Sequence, residues 1–114
     1  MPEVLDVSGD GEFLEWELRV PRDLVYLRGH FTDRPIVAGV VLVHWAIGAI
    51  EAHRGAPLDI AALEAVKFHD FLFPEHVFRL RVRPGDRRWH YEFSREGRKI
   101  ASGRIVEAPP GPTG

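Results

Sequence analysis

The chain has 114 residues, 45% of them hydrophobic and 28% charged, with a formal net charge of -2, the balance of a soluble globular domain. That charge carries no global signal for nucleic acid or an anionic membrane. The absence of cysteine excludes disulfides, thiolate nucleophiles and cysteine-based zinc sites.

The opening Met-Pro-Glu-Val-Leu-Asp lacks the basic-then-apolar layout of a signal peptide. The only long apolar run, Val37 to Ile50, is too short and too interrupted by His44 to span a bilayer. The expectation is a cytoplasmic protein with no membrane and no nucleic-acid partner. It forms one domain over residues 1–107, followed by a flexible Pro/Gly tail over 108–114.

Phe13 to Val20 reads as a strand, with Leu14, Trp16, Leu18 and Val20 on one face and Glu15, Glu17 and Arg19 on the other. Pro21 stops it, and Asp23 to Pro35 is mostly loop, punctuated by Gly29 and Pro35. A helix begins at Ala38 or Gly39 and continues to about His53. Its sequence is apolar almost all the way round, so it is expected to be enclosed. His44 then becomes a buried ring that would be costly without a partner.

Four strands follow. Ala61 to Phe68 comes first, then Val77 to Arg83, with Phe78, Leu80 and Val82 inward and Arg79, Arg81 and Arg83 outward. Pro84-Gly85-Asp86 is a turn. Trp89, Tyr91 and Phe93 alternate on the next strand, Glu96-Gly97 turns it, and Lys99 to Val106 closes the set. The class is α+β, one long buried helix wrapped by a curved antiparallel sheet of about five strands. A sheet of this kind has edges, and pairing the edges of two copies is a common remedy.

The segment Gly29-His30-Phe31-x-x-x-Pro35-x-x-x-Gly39-Val40-Val41 resembles the active-site segment of hot-dog-fold dehydratases that act on 3-hydroxyacyl thioesters of acyl carrier protein. That family typically reads Gly-His-Phe-Pro-x-x-Pro-x-x-Pro-Gly-Val, with an acidic residue further along the helix. Val66-Lys67-Phe68 and Pro74-Glu75-His76 resemble its later strand and turn. The likeness runs from about Val20 to Val106, and the Val-His-Trp-Ala run is similar to a small branch of stand-alone dehydratases from polyene-type biosynthetic clusters. Thr32 and Ala38 stand where the family has proline, which alters loop stiffness more than chemistry.

The resemblance implies a hot-dog fold and a homodimer, or a larger assembly of dimers, with each site at a subunit interface. It implies His30 as the catalytic histidine and Gly39 as the helix-start residue whose N–H binds the thioester oxygen. His44 stands at the position of the acidic residue, which the family supplies from the other subunit. Phe31, Pro35, Val40 and Trp45 would shape the loop or the acyl tunnel, with core packing the plainer role for Trp45. No metal and no resident cofactor are implied; the acyl group arrives on the phosphopantetheine of an acyl carrier protein or on coenzyme A.

The residues suit this chemistry. Dehydration needs a base for the C2 proton, an acid for the departing hydroxyl and a donor for the enolate-like oxygen. A neutral imidazole, with an ordinary pKa of about 6.5, can be the base. A helix N-terminus favours developing negative charge, and a glycine there admits close approach. Two alternatives stand beside the dehydratase. One is a non-catalytic acyl-binding or partner subunit of a heterodimer, with His44 marking loss of the acid. The other is a hot-dog acyl thioesterase, which needs a carboxylate the helix lacks until Glu51. Arg79, Arg81 and Arg83, with Arg87 and Arg88, make a basic face that would either steer an acidic carrier protein or stand as a solvated sheet face. His53 stands at the helix end, where a cation suits the dipole, and His69, His76 and His90 show no metal-ligand spacing.

Overall fold

The computed structural model describes residues 2–9, 12–22, 37 and 39–109. Six strands and one helix run in the order β1 (Glu3–Gly9), β2 (Leu14–Arg19), α1 (Gly39–Arg54), β3 (Ile60–Phe68), β4 (Val77–Gly85), β5 (Arg88–Arg95) and β6 (Arg98–Glu107). All neighbouring strands are antiparallel, in the order β1-β2-β4-β5-β6-β3. The α+β layout expected from the sequence is present, with a sixth strand, β1, added to the five anticipated.

Alternation explains the central strands. Trp16 and Leu18 of β2, with Val20 just beyond it, point to the same side as Phe78, Leu80 and Val82 of β4, and all are at most 4% exposed. Tyr91 and Phe93 of β5, then Ala101 and Ile105 of β6, continue that side. The helix lies across it: Trp45 stacks on Phe78 at 5.8 Å between ring centroids with 19° between planes, and Phe78 meets Phe93 at 5.8 Å. Ala46 and Ile50 are fully buried beneath it. Burial at these positions offsets the modest helix propensity of the valine-rich start.

Two turns differ in kind. Glu96 and Gly97 both have positive φ, 51° and 77°, the two-residue geometry that matches the twist of a hairpin. The β4–β5 turn falls at Asp86-Arg87, because β4 runs on through Pro84 and Gly85. That displaces the expected Pro84-Gly85-Asp86 turn. The tail expected over 108–114 is described only at Ala108 and Pro109, and Ala108 N–H donates to the Asp59 carbonyl at 2.7 Å.

The helix is not enclosed all round. Leu42, Val43, Trp45, Ala46, Ala49 and Ile50 are buried, while Val40 is 65% exposed and His44 is exposed. Residues 40 and 44 are one turn apart and share the face turned from the sheet. His44 is therefore an accessible side chain, and the expectation of a buried ring is corrected: the sheet covers one side of α1 and leaves the other open.

Candidate active site

The site is built around the start of α1. Val37 N–H donates to the Leu72 carbonyl at 2.8 Å, and both residues are buried. This bridge, two residues before Gly39, ties the helix entry to the β3–β4 connection. At Gly39 a Cβ would lie 2.5 to 2.8 Å from three atoms of the Phe68 ring. The ring at the end of β3 rests where a side chain at residue 39 would begin, so a larger residue there needs the half-exposed Phe68 ring to move.

The first turn of α1 contains no acidic residue. Its N–H groups lack intrahelical acceptors, so the positive end of the helix dipole has no carboxylate neighbour on its own turn. The Phe68 ring beside it is 52% exposed, Val40 on the turn itself is exposed, and Phe71, next to the Leu72 bridge, is 59% exposed. Leu63 of β3 pairs with Ile105 and Phe68 with Ala101, so both face the core side of the sheet, yet Leu63 is 45% exposed. β3 is an edge, and the apolar side of that edge is uncovered.

His30, Phe31 and Pro35 lie outside the described residues. Of the other site candidates, Gly39 and Val40 are the first two residues of α1. His44 follows five residues on, about 7.5 Å along the axis, on the exposed face it shares with Val40. Trp45 is 3% exposed and stacked on Phe78, a core position. Phe68, Phe71 and Leu63 were missed as site residues. For Leu63 and Phe68 the signal was an apolar side chain on a strand that could have been recognised as an edge; Phe71 lies beyond β3 and carried no such signal.

Glu51, the single carboxylate of α1, is engaged elsewhere. Its Oε2 accepts the Leu58 N–H at 2.7 Å, about 18 Å along the helix from Gly39. It is poorly placed to activate water at the helix start. His53 meets Trp16 edge-on at 6.4 Å. The His76 Nδ1 accepts the Phe73 N–H at 3.2 Å, and burial, aided by Arg95, pushes its pKa down. His69 is exposed, and Asp70 Oδ1 accepts the Phe71 N–H. Among the described residues no group of three or more histidine, aspartate or glutamate side chains is placed to hold a metal ion. No described helix is long and apolar enough to cross a membrane.

One helix laid across an antiparallel sheet is the arrangement of the hot-dog class. The dehydratase heterocomplex ApeI:P from Xenorhabdus doucetiae has the same fold, with a TM-score of 0.83 and 18% identity over 96% of this chain and 99% of that one. An uncharacterized protein from Erwinia carotovora subsp. atroseptica matches with a TM-score of 0.71 and 28% identity, covering 96% and 97% of the two chains. The curated 3-hydroxyacyl-(acyl-carrier-protein) dehydratase FabZ of Roseiflexus sp. (strain RS-1) is 35% identical over 65 residues, covering 51% of this chain and 46% of that protein. The match thus spans about half the length of that relative. The family model described as ApeI-like, ApeI dehydratase, matches residues 6–104. The chain belongs to the ApeI-like dehydratase family.

Proposed function

We propose that this protein removes water from a 3-hydroxyacyl thioester to give the trans-2-enoyl thioester, in fatty-acid or polyene-type biosynthesis. The observation that carries the reading is the start of α1: a first helical turn without a carboxylate, beginning at Gly39, where the Phe68 ring rests against the backbone and the exposed Val40 side chain stands next in line. A polar donor surrounded by apolar surface suits a thioester oxygen attached to an acyl chain.

In this reading the Gly39 N–H holds the thioester oxygen as negative charge develops on it. His30 takes the C2 proton. His44, as imidazolium, gives a proton to the C3 hydroxyl, which leaves as water. Exposure of His44 supports this role, because a side chain on the open face of α1 can reach a site completed by a second subunit. The apolar side of β3 supports such an assembly, a homodimer or a heterodimer. Phe31 and Pro35 would shape the loop, Val40 would meet the acyl group, and Trp45 would back the site from the core. The protein needs no cofactor of its own, since the substrate comes on the phosphopantetheine of an acyl carrier protein or on coenzyme A.

A second reading is a non-catalytic partner subunit. It is favoured by His44 standing where the resemblance has an acidic residue, and the relative ApeI:P is itself a heterocomplex. Incubation of the purified protein with a 3-hydroxyacyl carrier thioester separates the two. Enoyl product that disappears in His30→Ala supports the first reading; binding without turnover supports the second. The position of Glu51 disfavours a thioesterase, which would release free acid.

A further inference from the structure

The outer face of the sheet, opposite α1, carries a recess of about 570 Å³, within the usual range for small-molecule sites. Strand register explains its charge. Arg83 of β4 pairs with His90 of β5, and His90 pairs with Arg104 of β6. Neighbouring strands lie about 5 Å apart, so Arg83 and Arg104 flank His90 at roughly 10 Å from one another. The neighbouring row holds Arg81, Glu92, Ser102 and Lys67.

The available carboxylates do not neutralise this face. Glu64 is shared between Arg104 at 3.7 Å and Arg88 at 4.0 Å. Glu15 is shared between Arg79 and Arg81, and Glu92 approaches Lys99. Among the described residues, Arg83 and Lys67 have no carboxylate within ion-pair distance. The Arg104 Nε is buried and makes no hydrogen bond, since 3.7 Å to Glu64 is too long for one. An orphaned guanidinium donor, an unpaired arginine and a histidine between them converge on one concavity.

We propose that this recess binds a small molecule through a phosphate group seated between Arg83 and Arg104 over His90. Guanidinium groups match phosphate oxygens in paired hydrogen bonds, and the bound charge would offset the arginine–arginine repulsion across β4, β5 and β6. A recess of this size favours a small molecule over the flat surface of a protein. Phe13, under the Arg81 guanidinium at 4.1 Å, lines one side. Burial first, then Arg83, Arg104 and Arg88, pushes the His90 pKa down; Glu64 and Glu92 are the opposing charges. His90 is therefore a built-in reporter, because an anion beside it must raise that value. The proposal stands apart from the dehydration reading, which concerns the other face.

The test follows the His90 ring resonances during titration with inorganic pyrophosphate, ADP or a glutamate-rich peptide, at constant ionic strength set with chloride. Pyrophosphate is expected to shift His90 saturably and raise its titration midpoint. Arg83→Gln should weaken binding about tenfold or more, while Arg98→Gln at the start of β6 should not. Arg83 makes no ion pair among the described residues, so its replacement is expected to leave the fold intact, checked by thermal melting. Tighter binding of ADP assigns a nucleotide ligand, and equal binding assigns the phosphate moiety alone. A chloride-like drift, or undiminished affinity in Arg83→Gln, overturns the proposal. So does saturation by the acidic peptide but not by pyrophosphate, which would make this a protein-docking face.

Discussion

Replacing Gly39 by alanine separates stability from chemistry at the helix start. The new methyl would overlap the Phe68 ring, whose nearest atom is 2.5 Å from the Cβ position, about 1 Å inside normal carbon contact. Phe68 is 52% exposed, so it can swing away. Full burial of such a side chain is worth about 1.5–3 kcal/mol, and losing the buried half costs about 1 kcal/mol. Alanine in a helix returns at most about 1 kcal/mol relative to glycine. The two effects nearly cancel, and Tm should move by only a few degrees. Turnover should not be spared. A methyl and a displaced ring at the donor keep the thioester oxygen from the N–H, and loss of one such donor costs about 100-fold or more in kcat. The assay pairs thermal melting with enoyl formation from a 3-hydroxyacyl carrier thioester. Near wild-type turnover in a folded Gly39→Ala protein would refute the role given to this N–H.

Three further outcomes are expected. Leu63→Asp puts a charge on the uncovered core side of β3 and should convert the assembled protein to monomer in light scattering; an unchanged mass would show that β3 is not the interface. Tyr91 is buried with its hydroxyl unpaired, and a Cβ on Gly103 would lie 2.5 Å from that oxygen. Tyr91→Phe should therefore be neutral or stabilising in urea unfolding, and Gly103→Ala should cost about 1–3 kcal/mol. Glu107 accepts hydrogen bonds from Arg54 and the Trp89 indole, and these hold its carboxyl below the usual range. A depressed carboxyl pKa contributes stability that is fully present above the unfolded value and lost as pH falls through the folded one. The stability gap between wild type and Glu107→Gln should be constant near neutrality and close in acid. A gap that widens on acidification would reverse the sign.

The strands that cross the core were readable because burial imposes a period of two, as in Phe78, Leu80 and Val82 against Arg79, Arg81 and Arg83. β1 was not readable for the complementary reason. Its residues are all exposed, with a register shift between Val4 and Asp6, so no core imposed an alternation on it. At the site, Gly39 was legible as a helix start, but the meaning of the apolar residues around it was not. Val40, Leu63, Phe68 and Phe71 have the composition of a core and the exposure of a surface. An exposed apolar side chain at a sheet edge looks, in one sequence, like one meant for its own interior. The same ambiguity made α1 read as enclosed and His44 as buried. Likewise the alternation put arginines outward on β4, but the row through His90 to Arg104 needed the register of β5 and β6.

The most direct test of the account follows the C2 proton. A 3-hydroxyacyl carrier thioester deuterated at C2 should lose one of its two deuterium atoms as the enoyl product forms, and His30→Ala should abolish both the loss and the product. Release of a free acid with both deuterium atoms retained, or an unreacted thioester in the presence of folded, assembled protein, would contradict it.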